Sequence, residues 1–398
     1  MAKQVLSAGI SVSKLLELIP SSLFDQLAEQ YAADKWVNKL KAEALFKLVL
    51  FTLLDSERMS LRVLESNTRD PQFRSIYPAL SEHVRWTGIR DRLMHLPVAY
   101  CQELYKSVYT QVQELYSERA LKKYHIKRYD STMISTFSYL LDGMSVGNTK
   151  KGKTQLKLTA EMSDDLLLQM HIHTEQVYAG EEIALKEAIL DAEHTAEDIV
   201  VFDRGLKSRE TFANFDESEI NFVSRLSSEP RSKLLRASGI DDNKNAPGLE
   251  LLRDDIVYLY KKRNNIVRTE MRLIQYRDTD GLLITFVTNM KELPASMIAQ
   301  IYRLRWDIEV LFRFMKQELN LKHLVCNAPN AIQVMLYFTL ITAMLVLIYK
   351  KQNKIRSYKM AKIQFFKELT ATVMLDVLES PGGVEQLKIS LKRTIQRE

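Results

Sequence analysis

The sequence predicts an α/β protein, with a strand-rich middle flanked by helical regions at both ends. Three observations carry that prediction. Up to about residue 120 the apolar residues recur at helical spacing, and from about 121 they alternate with the period of two that a strand requires. Between 125 and 202 the order is strand, strand hairpin, helix, short apolar strand, a pattern that builds a mixed sheet with helical cover. Beyond Pro294 the chain returns to helix.

In the first region Leu15, Leu16, Leu18 and Ile19 lead to Pro20, and Ser22 is placed to cap a helix running through Phe24, Leu27 and Tyr31. Helices are expected over 44–54, 60–65 and 99–116. The basic stretch from Arg85 to Arg92 is a surface turn and helix start that can also touch DNA. Residues 125–137, rich in Tyr, Ile and Thr, form a strand. Strands over 154–162 and 166–174 are joined by a turn at Ser163-Asp164-Asp165, and a helix covers 181–192. Residues 198–202 (DIVVF) are a short apolar strand suited to the centre of a sheet, and it ends at Asp203-Arg204-Gly205. Further strands are expected over 221–226, 256–261, 266–276 and 282–288. Their turns lie at Asn245-Ala246-Pro247-Gly248, Arg263-Asn264-Asn265 and Asp278-Thr279-Asp280-Gly281. Pro294 then opens one long helix.

A chain of 398 residues suffices for two or three domains, and its net charge of +6 is compatible with an anionic partner. The distribution of charge says more. Residues 349–367 carry Lys350, Lys351, Lys354, Arg356, Lys359, Lys362 and Lys367 without an acid, and residues 143–160 carry Lys150, Lys151, Lys153 and Lys157 without one. Either run alone is an ordinary solvated face; two together favour nucleic acid. Cys101 and Cys326 give neither a disulfide framework nor zinc spacing, which suits a reducing cytosol, and no signal peptide opens the chain. Residues 334–349 are strongly apolar but short of the ~18–20 residues of a membrane span, so a buried core helix is expected and no membrane.

The most informative segment is QIYRLRWDIEVLFRFMKQEL, with the spacing Tyr302-x2-Arg305-x3-Glu309-x6-Lys316. On one helix advancing ~100° per residue from Tyr302, Arg305 falls at ~300°, Glu309 at ~340°, Lys316 at ~320° and Arg313 at ~20°. Ile301, Leu304, Ile308, Leu311, Phe312 and Met315 fill the adjoining apolar sector, while Asp307 and Glu318 point away. One carboxylate is thus set beside an Arg, a Lys and a phenol, which suits a metal-binding acid next to a phosphate-binding strip. An amphipathic helix with ordinary rim charges has the same pattern. Two further acids stand out: Asp130 inside an apolar strand, where an unpaired charge is costly, and Asp203 at a strand's carboxyl end, where α/β sheets present ligands. Two strand aspartates met by a helical glutamate can hold two Mg²⁺ ions for an in-line phosphoryl displacement. Singly, Asp130 can accept backbone hydrogen bonds and Asp203 can cap a turn. His171-x-His173 places two imidazoles on one strand face without an evident third ligand, so a structural role is expected there.

On these residues the chain resembles the DDE transposases of bacterial insertion sequences, in particular the insertion-sequence-four family, whose Tyr-x2-Arg-x3-Glu-x6-Lys signature it matches at every position. The likeness extends to Tyr129-Asp130-Ser131-Thr132, Phe202-Asp203-Arg204-Gly205, Thr288-Asn289-Met290 and Arg305-Trp306-x2-Glu309, covering roughly residues 120–350. The resemblance implies a ribonuclease-H-like catalytic core, at 121–226 and 285–350, with a β-rich insertion at 227–284. The core is flanked by a helical DNA-end-binding region at 1–120 and a helical basic region at 351–398. It implies Asp130, Asp203 and Glu309 as the catalytic, metal-binding triad with two Mg²⁺ ions, Mn²⁺ being able to substitute. Tyr302, Arg305 and Lys316, joined by Arg313, would grip phosphates. Some relatives cleave through a DNA hairpin and stack a flipped base on a Trp of the insertion. Here Trp36, Trp86 and Trp306 all lie outside it, leaving Trp306, Tyr258, Tyr260 or Phe286 as stacking candidates. The implied activity is cleavage at the inverted-repeat ends of an element and joining of the freed 3′-hydroxyls to target DNA. The expected partners are double-stranded DNA and a second protomer, in the bacterial cytoplasm at the nucleoid. The rivals are a nuclease without strand transfer and a catalytically silent DNA-binding protein.

Overall fold

A computed structural model describes residues 9–80, 82–116, 124–136, 144–145, 154–163, 166–237, 246–261, 265–321, 325–326 and 328–379. In chain order the helices α1 (Val12–Leu16), α2 (Ser21–Gln30), α3 (Ala42–Asp55), α4 (Leu61–Asn67), α5 (Pro71–Ile76), α6 (Trp86–His95) and α7 (Val98–Tyr116) come first. Then follow β1 (His125–Thr136), β2 (Met144–Ser145), β3 (Thr154–Ser163), β4 (Leu166–His173), α8 (Glu181–Leu190), β5 (Asp198–Phe202), α9 (Arg209–Glu217) and β6 (Phe222–Leu226). The strands β7 (Ser232–Ala237), β8 (Leu249–Tyr260), β9 (Ile266–Asp278) and β10 (Leu283–Thr288) precede α10 (Ala295–Arg303), α11 (Trp306–Gln317), α12 (Pro329–Gln352) and α13 (Tyr358–Glu379). The chain divides into two compact units: Met1–Ser117 with Thr136–Leu141 and Arg313–Glu398, and Glu118–Ser135 with Asp142–Phe312.

The first unit is helical. Helices α1, α4 and α5 begin where side chains satisfy free N–H groups of the first turn. Ser60 accepts from the Val63 amide at 3.2 Å at the start of α4, and Asp70 accepts from Gln72 at 2.7 Å before Pro71 opens α5. The α12 helix is long and apolar enough to cross a membrane, yet its most apolar window is 83% buried against the protein. It packs on α3, α6, α7 and α13, with Phe338 edge-on to Phe46 at 5.2 Å. Thr339 and Thr342 donate to the carbonyls of Met335 and Phe338, each at 2.8 Å, so their hydroxyls are satisfied inside the core. The expected core helix is therefore what forms. In the basic run that follows, Lys351, Lys354, Arg356, Lys359 and Lys367 are exposed, whereas Lys362 is buried and donates to the Glu318 carbonyl at 2.6 Å.

The second unit is built on one sheet in the order β2-β3-β1-β5-β6-β10-β9-β8-β7, with β4 beside β3. Strands β1, β5 and β6 run parallel, in the registers Tyr129↔Phe202 and Phe202↔Ser224. Because successive side chains alternate between faces, the apolar run of β5 supplies both sides. Val200 and Phe202 join Tyr129, Leu185, Phe212, Phe215 and Phe222 on one face. Ile199 and Val201 join Val223, Phe286, Ile298 and Ile301 on the other, beneath α10.

Two polar anchors fix the entry to α10. The Arg272 guanidinium on β9 holds both carboxylate oxygens of buried Asp254 at 2.7 Å and donates to the Leu293 carbonyl at 2.5 Å. Asn289, just past β10, donates to Asp216 at 3.1 Å and to the Ile220 carbonyl at 3.0 Å, and accepts from the Phe222 amide at 3.1 Å. All of its amide's strong directions but one are thereby used.

Several expectations are corrected. The long helix expected after Pro294 breaks at Leu304-Arg305, where Leu304, Arg305, Asp307 and Ile308 each donate three residues back instead of four. This tightening turns Leu304, expected in the buried sector, outward to 40% exposure and draws Arg305 in to 9%. Lys157, expected on a solvated basic face, is 1% exposed and donates to the carbonyls of Ala179 at 3.0 Å and Gly180 at 2.6 Å. The neighbouring Lys150, Lys151 and Lys153 lie outside the described residues, as do parts of the turns at 163–165, 245–248 and 263–265. The α2 helix begins at Ser21 after Pro20 rather than at a Ser22 cap. Helix α9 and strand β7 were not expected. Apart from these corrections, the β-rich residues 227–284 supply strands β7, β8 and β9, which extend the sheet beyond β10.

Candidate active site

The parallel registers set up the site. Asp130 and Asp203 each follow the paired residues Tyr129 and Phe202, so the two acids stand side by side, Asp130 in the middle of β1 and Asp203 just past the carboxyl end of β5. Neighbouring strands lie ~4.8 Å apart, which is too close for two solvent-free negative charges without compensation. On the far side of β5, Phe202 pairs with Ser224, which puts Arg225 next in the same row, and Arg225 pairs in turn with Phe286 of β10. The row Asp130, Asp203, Arg225, Phe286 thus crosses four strands on the α10 face.

Local backbone explains how the acids are held. Asp130 Oδ1 accepts from the Ser131 amide at 2.8 Å, and Asp203 Oδ1 accepts from the Arg204 amide at 2.6 Å. One oxygen of each carboxylate is fixed by these bonds. Burial pushes the Asp130 carboxyl up to about 7, and the Glu309 and Asp203 charges push the same way against the Ser131 amide and Arg305. The two other acids are therefore near enough to Asp130 to be felt electrostatically.

The break between α10 and α11 places the remaining parts. Tyr302, at the end of α10, packs its ring on Phe286 at 5.1 Å and donates to Asp203 Oδ1 at 3.5 Å. Burial raises its phenol above the ordinary range, with Asp203 adding to this and Arg305 opposing it. The Arg305 guanidinium lies 5.5 Å over the Tyr302 ring and donates from Nη1 to Glu309 Oε1 at 2.7 Å. Burial works against its charge, but Tyr302, Glu309 and Asp203 outweigh burial and hold the guanidinium above its usual value. Its Nε is buried and has no hydrogen-bond partner among the described residues; the same is true of Arg225 Nε. Among the described residues, no three His, Cys, Asp or Glu side chains close up into a ready metal cage. Glu309 instead engages Arg305, which supplies positive charge among three acids. The donor set is nevertheless all hard oxygen, as Mg²⁺ and Mn²⁺ prefer.

The structure gathers Asp130, Asp203, Glu309, Tyr302 and Arg305. Lys316 follows Glu309 by two turns of α11, half-buried, and Arg313 is exposed on the same helix; both belong to the first unit. Trp306 is 51% exposed at the start of α11. Tyr258 and Tyr260 lie on β8, four strands along the sheet from β5, and the Arg231 guanidinium covers Tyr260 at 5.6 Å. His171 and His173 stack at 6.3 Å, and burial lowers both, His173 to about 4. Sequence reasoning missed Arg225. Its signal was a cation in an otherwise apolar strand, Phe222-Val223-Ser224-Arg225-Leu226, one strand beyond Asp203.

The profile of the family described as "Transposase DDE domain" matches residues 123–345. Among curated proteins, the chain is 30% identical over 155 residues to y4zB of Sinorhizobium fredii, a protein named as a transposase, covering 39% of this chain and 43% of that one. It is 33% identical over 97 residues to a protein named as the transposase of insertion sequence element IS5377 from Geobacillus stearothermophilus, covering 24% and 26%. A protein from Synechocystis named as the transposase of insertion sequence element IS4SA is 35% identical over 111 residues, covering 26% and 31%. The matched segments thus span less than half of each of these relatives. Among solved structures, the piggyBac transposase synaptic complex with hairpin DNA is similar at a TM-score of 0.48 and 10% identity, over 98% of this chain and 86% of that one. At that level the fold is better read from the strand order itself.

Proposed function

The chain belongs to the transposase DDE-domain family, whose profile covers more than half of it, and we propose that it is a DNA transposase of the insertion-sequence-four type. The observation that carries this reading is the row of Asp130 and Asp203 on adjacent parallel strands, faced by the Tyr302-Arg305-Glu309 set. The strand order around β1, β5 and β6 supports a ribonuclease-H-like core. Asp130, Asp203 and Glu309 would hold two Mg²⁺ ions, with Mn²⁺ as a substitute. When bound, the ions would supply activation of the attacking oxygen and stabilisation of the leaving oxygen.

The protein's own groups then have distinct tasks. The Ser131 and Arg204 amides fix one oxygen of each aspartate, so the other would be the one to take a metal ion. Arg305 holds Glu309 in place, and half-buried Arg225, next in the row beyond Asp203, can take a phosphate oxygen. Tyr302, packed on Phe286, offers its ring to the Arg305 guanidinium and so helps to position it. Lys316 and Arg313 extend the positive strip along α11, and Trp306 offers a face for a base. Water attacks the phosphodiester at the element end and releases a 3′-hydroxyl and a 5′-phosphate. The 3′-hydroxyl then attacks a target phosphodiester, so one ester forms as another breaks. Two ends must be handled together, which calls for a homodimer on DNA in the bacterial cytoplasm.

The test combines the protein, Mg²⁺, a target plasmid and duplexes carrying the inverted repeats that flank its gene. Cleavage at the repeat tips followed by joined product is expected. Nicking without joining would leave a nuclease, and tight binding without cleavage in Mg²⁺ or Mn²⁺ would leave a silent DNA-binding protein. Arg225→Ala is expected to slow cleavage by about 10–100-fold, the loss of one charge-assisted phosphate contact, with Arg225→Lys recovering part of it. Unchanged rates in Arg225→Ala would remove Arg225 from the site.

A further inference from the structure

Trp36 is 91% exposed, far beyond the other large apolar side chains that reach solvent. It sits in the loop between α2 and α3, in the left-handed backbone region at φ 64°, and Ala32 at the loop's start has φ 49°. Neither residue is glycine, so each conformation costs about 1 kcal/mol or more. A mobile loop would relax such strain, but this one is pinned at its base. Buried Arg92 of α6 donates to the Leu40 carbonyl at 2.9 Å, to the Ala33 carbonyl at 2.9 Å and to Asp34 Oδ1 at 2.6 Å. Asp34 Oδ1 also accepts from the Ala42 amide at 2.8 Å, closing the loop onto the first turn of α3. Ala33 and Leu40 are each 4% exposed, so the loop's two ends are buried while its tip projects.

The tip is basic. Lys35, Lys39 and Lys41 are exposed, Lys35 lies 5.8 Å over the indole, and Lys39 pairs with exposed Glu82. The loop's own acid, Asp34, is consumed by Arg92 and the Ala42 amide. A surface ion pair such as Lys39 with Glu82 is weak enough to open for a phosphate. The combination of a rigidly presented indole and flanking lysines matches a ligand with stacked aromatic faces between regularly spaced negative charges.

We propose that the loop from Ala33 to Lys41 is a DNA-docking loop, in which Trp36 stacks on or wedges against a base while Lys35, Lys39 and Lys41 contact flanking phosphates. This rests on the reading of the protein as a DNA transposase, and it adds a contact point remote in sequence from the catalytic residues. Because the loop's strain is held by Arg92, the indole is ordered before DNA arrives and little entropy is lost on binding.

The experiment measures binding of the full chain to the inverted-repeat duplex as a function of salt, for wild type, Trp36→Ala and the triple variant Lys35→Ala/Lys39→Ala/Lys41→Ala. Trp36→Ala removes a solvent-exposed side chain, and an unchanged melting temperature shows that it folds. It is expected to weaken binding about 5–100-fold with the salt slope unchanged. The triple variant is expected to flatten the slope of log affinity against log salt by roughly 2–3. Sedimentation without DNA is run on the same proteins. Equal affinity and equal slopes, with DNA bound, would overturn the docking loop alone. A Trp36→Ala protein that binds DNA normally but changes mass without DNA would assign the loop to a second copy and overturn it. Absence of DNA binding by every protein would bring down the transposase reading and this inference together.

Discussion

Glu309→Gln is expected to lower strand cleavage by roughly 10²–10³-fold or more, the scale of losing one preorganised electrostatic group at the reacting phosphate. The amide keeps the length of the carboxylate, and its oxygen can still accept from Arg305 Nη1, so the turn between α10 and α11 is retained. The melting temperature and the affinity for end DNA should stay close to wild type, because Glu309 repels phosphate and contributes nothing to its binding. Asp130→Asn and Asp203→Asn are expected to behave alike, since each amide can keep the backbone hydrogen bond from Ser131 or Arg204. Parallel measurement of single-turnover cleavage and of DNA affinity separates the roles. Cleavage within threefold of wild type in Glu309→Gln would exclude it from the chemistry.

Arg272→Met is expected to destabilise the protein by about 3–5 kcal/mol, because it leaves Asp254 charged and unpaired in the interior. Asp254 is 1% exposed, and both its oxygens face Arg272. The same guanidinium donates to the carbonyls of Met290, Lys291 and Leu293, the segment that leads from β10 into α10. Its loss therefore loosens the approach to Tyr302 as well as the sheet. A fall of roughly 5–10 °C in melting temperature is expected. The double variant Arg272→Met/Asp254→Leu should recover much of that fall, since replacing a buried pair with apolar groups is often neutral. A single variant that melts like wild type would mean that Asp254 finds water or another partner.

How much was legible in the sequence depended on how locally each feature is encoded. The strand Asp198–Phe202 was read to the residue because four apolar residues between Asp198 and Asp203 leave one solution. The three acids stood out because a carboxylate in an apolar strand, or on the rim of an apolar helix face, needs a reason. Strand β8 was read seven residues short at its start, since Arg253, Asp254 and Asp255 look like a loop until Arg272 is placed opposite Asp254. Strand β7 escaped because it is an exposed edge that lacks alternation. The break at Leu304-Arg305 was invisible because both residues favour helix, and the contacts of Arg305 with Tyr302 and Glu309 have spacings that an unbroken helix also allows. Arg225 escaped for a related reason: its place beside Asp203 is set by strand order, which no single segment encodes.

That Asp130, Asp203 and Glu309 form one cation-holding centre is tested most directly by replacing Mg²⁺ with Fe²⁺ and mapping where peroxide-generated hydroxyl radicals cut the polypeptide. Cuts clustered near residues 130, 203 and 309 together, suppressed by excess Mg²⁺ and lost in Asp203→Asn, are the predicted result. Cuts near only one of the three, or a pattern unchanged in Asp203→Asn, would contradict it.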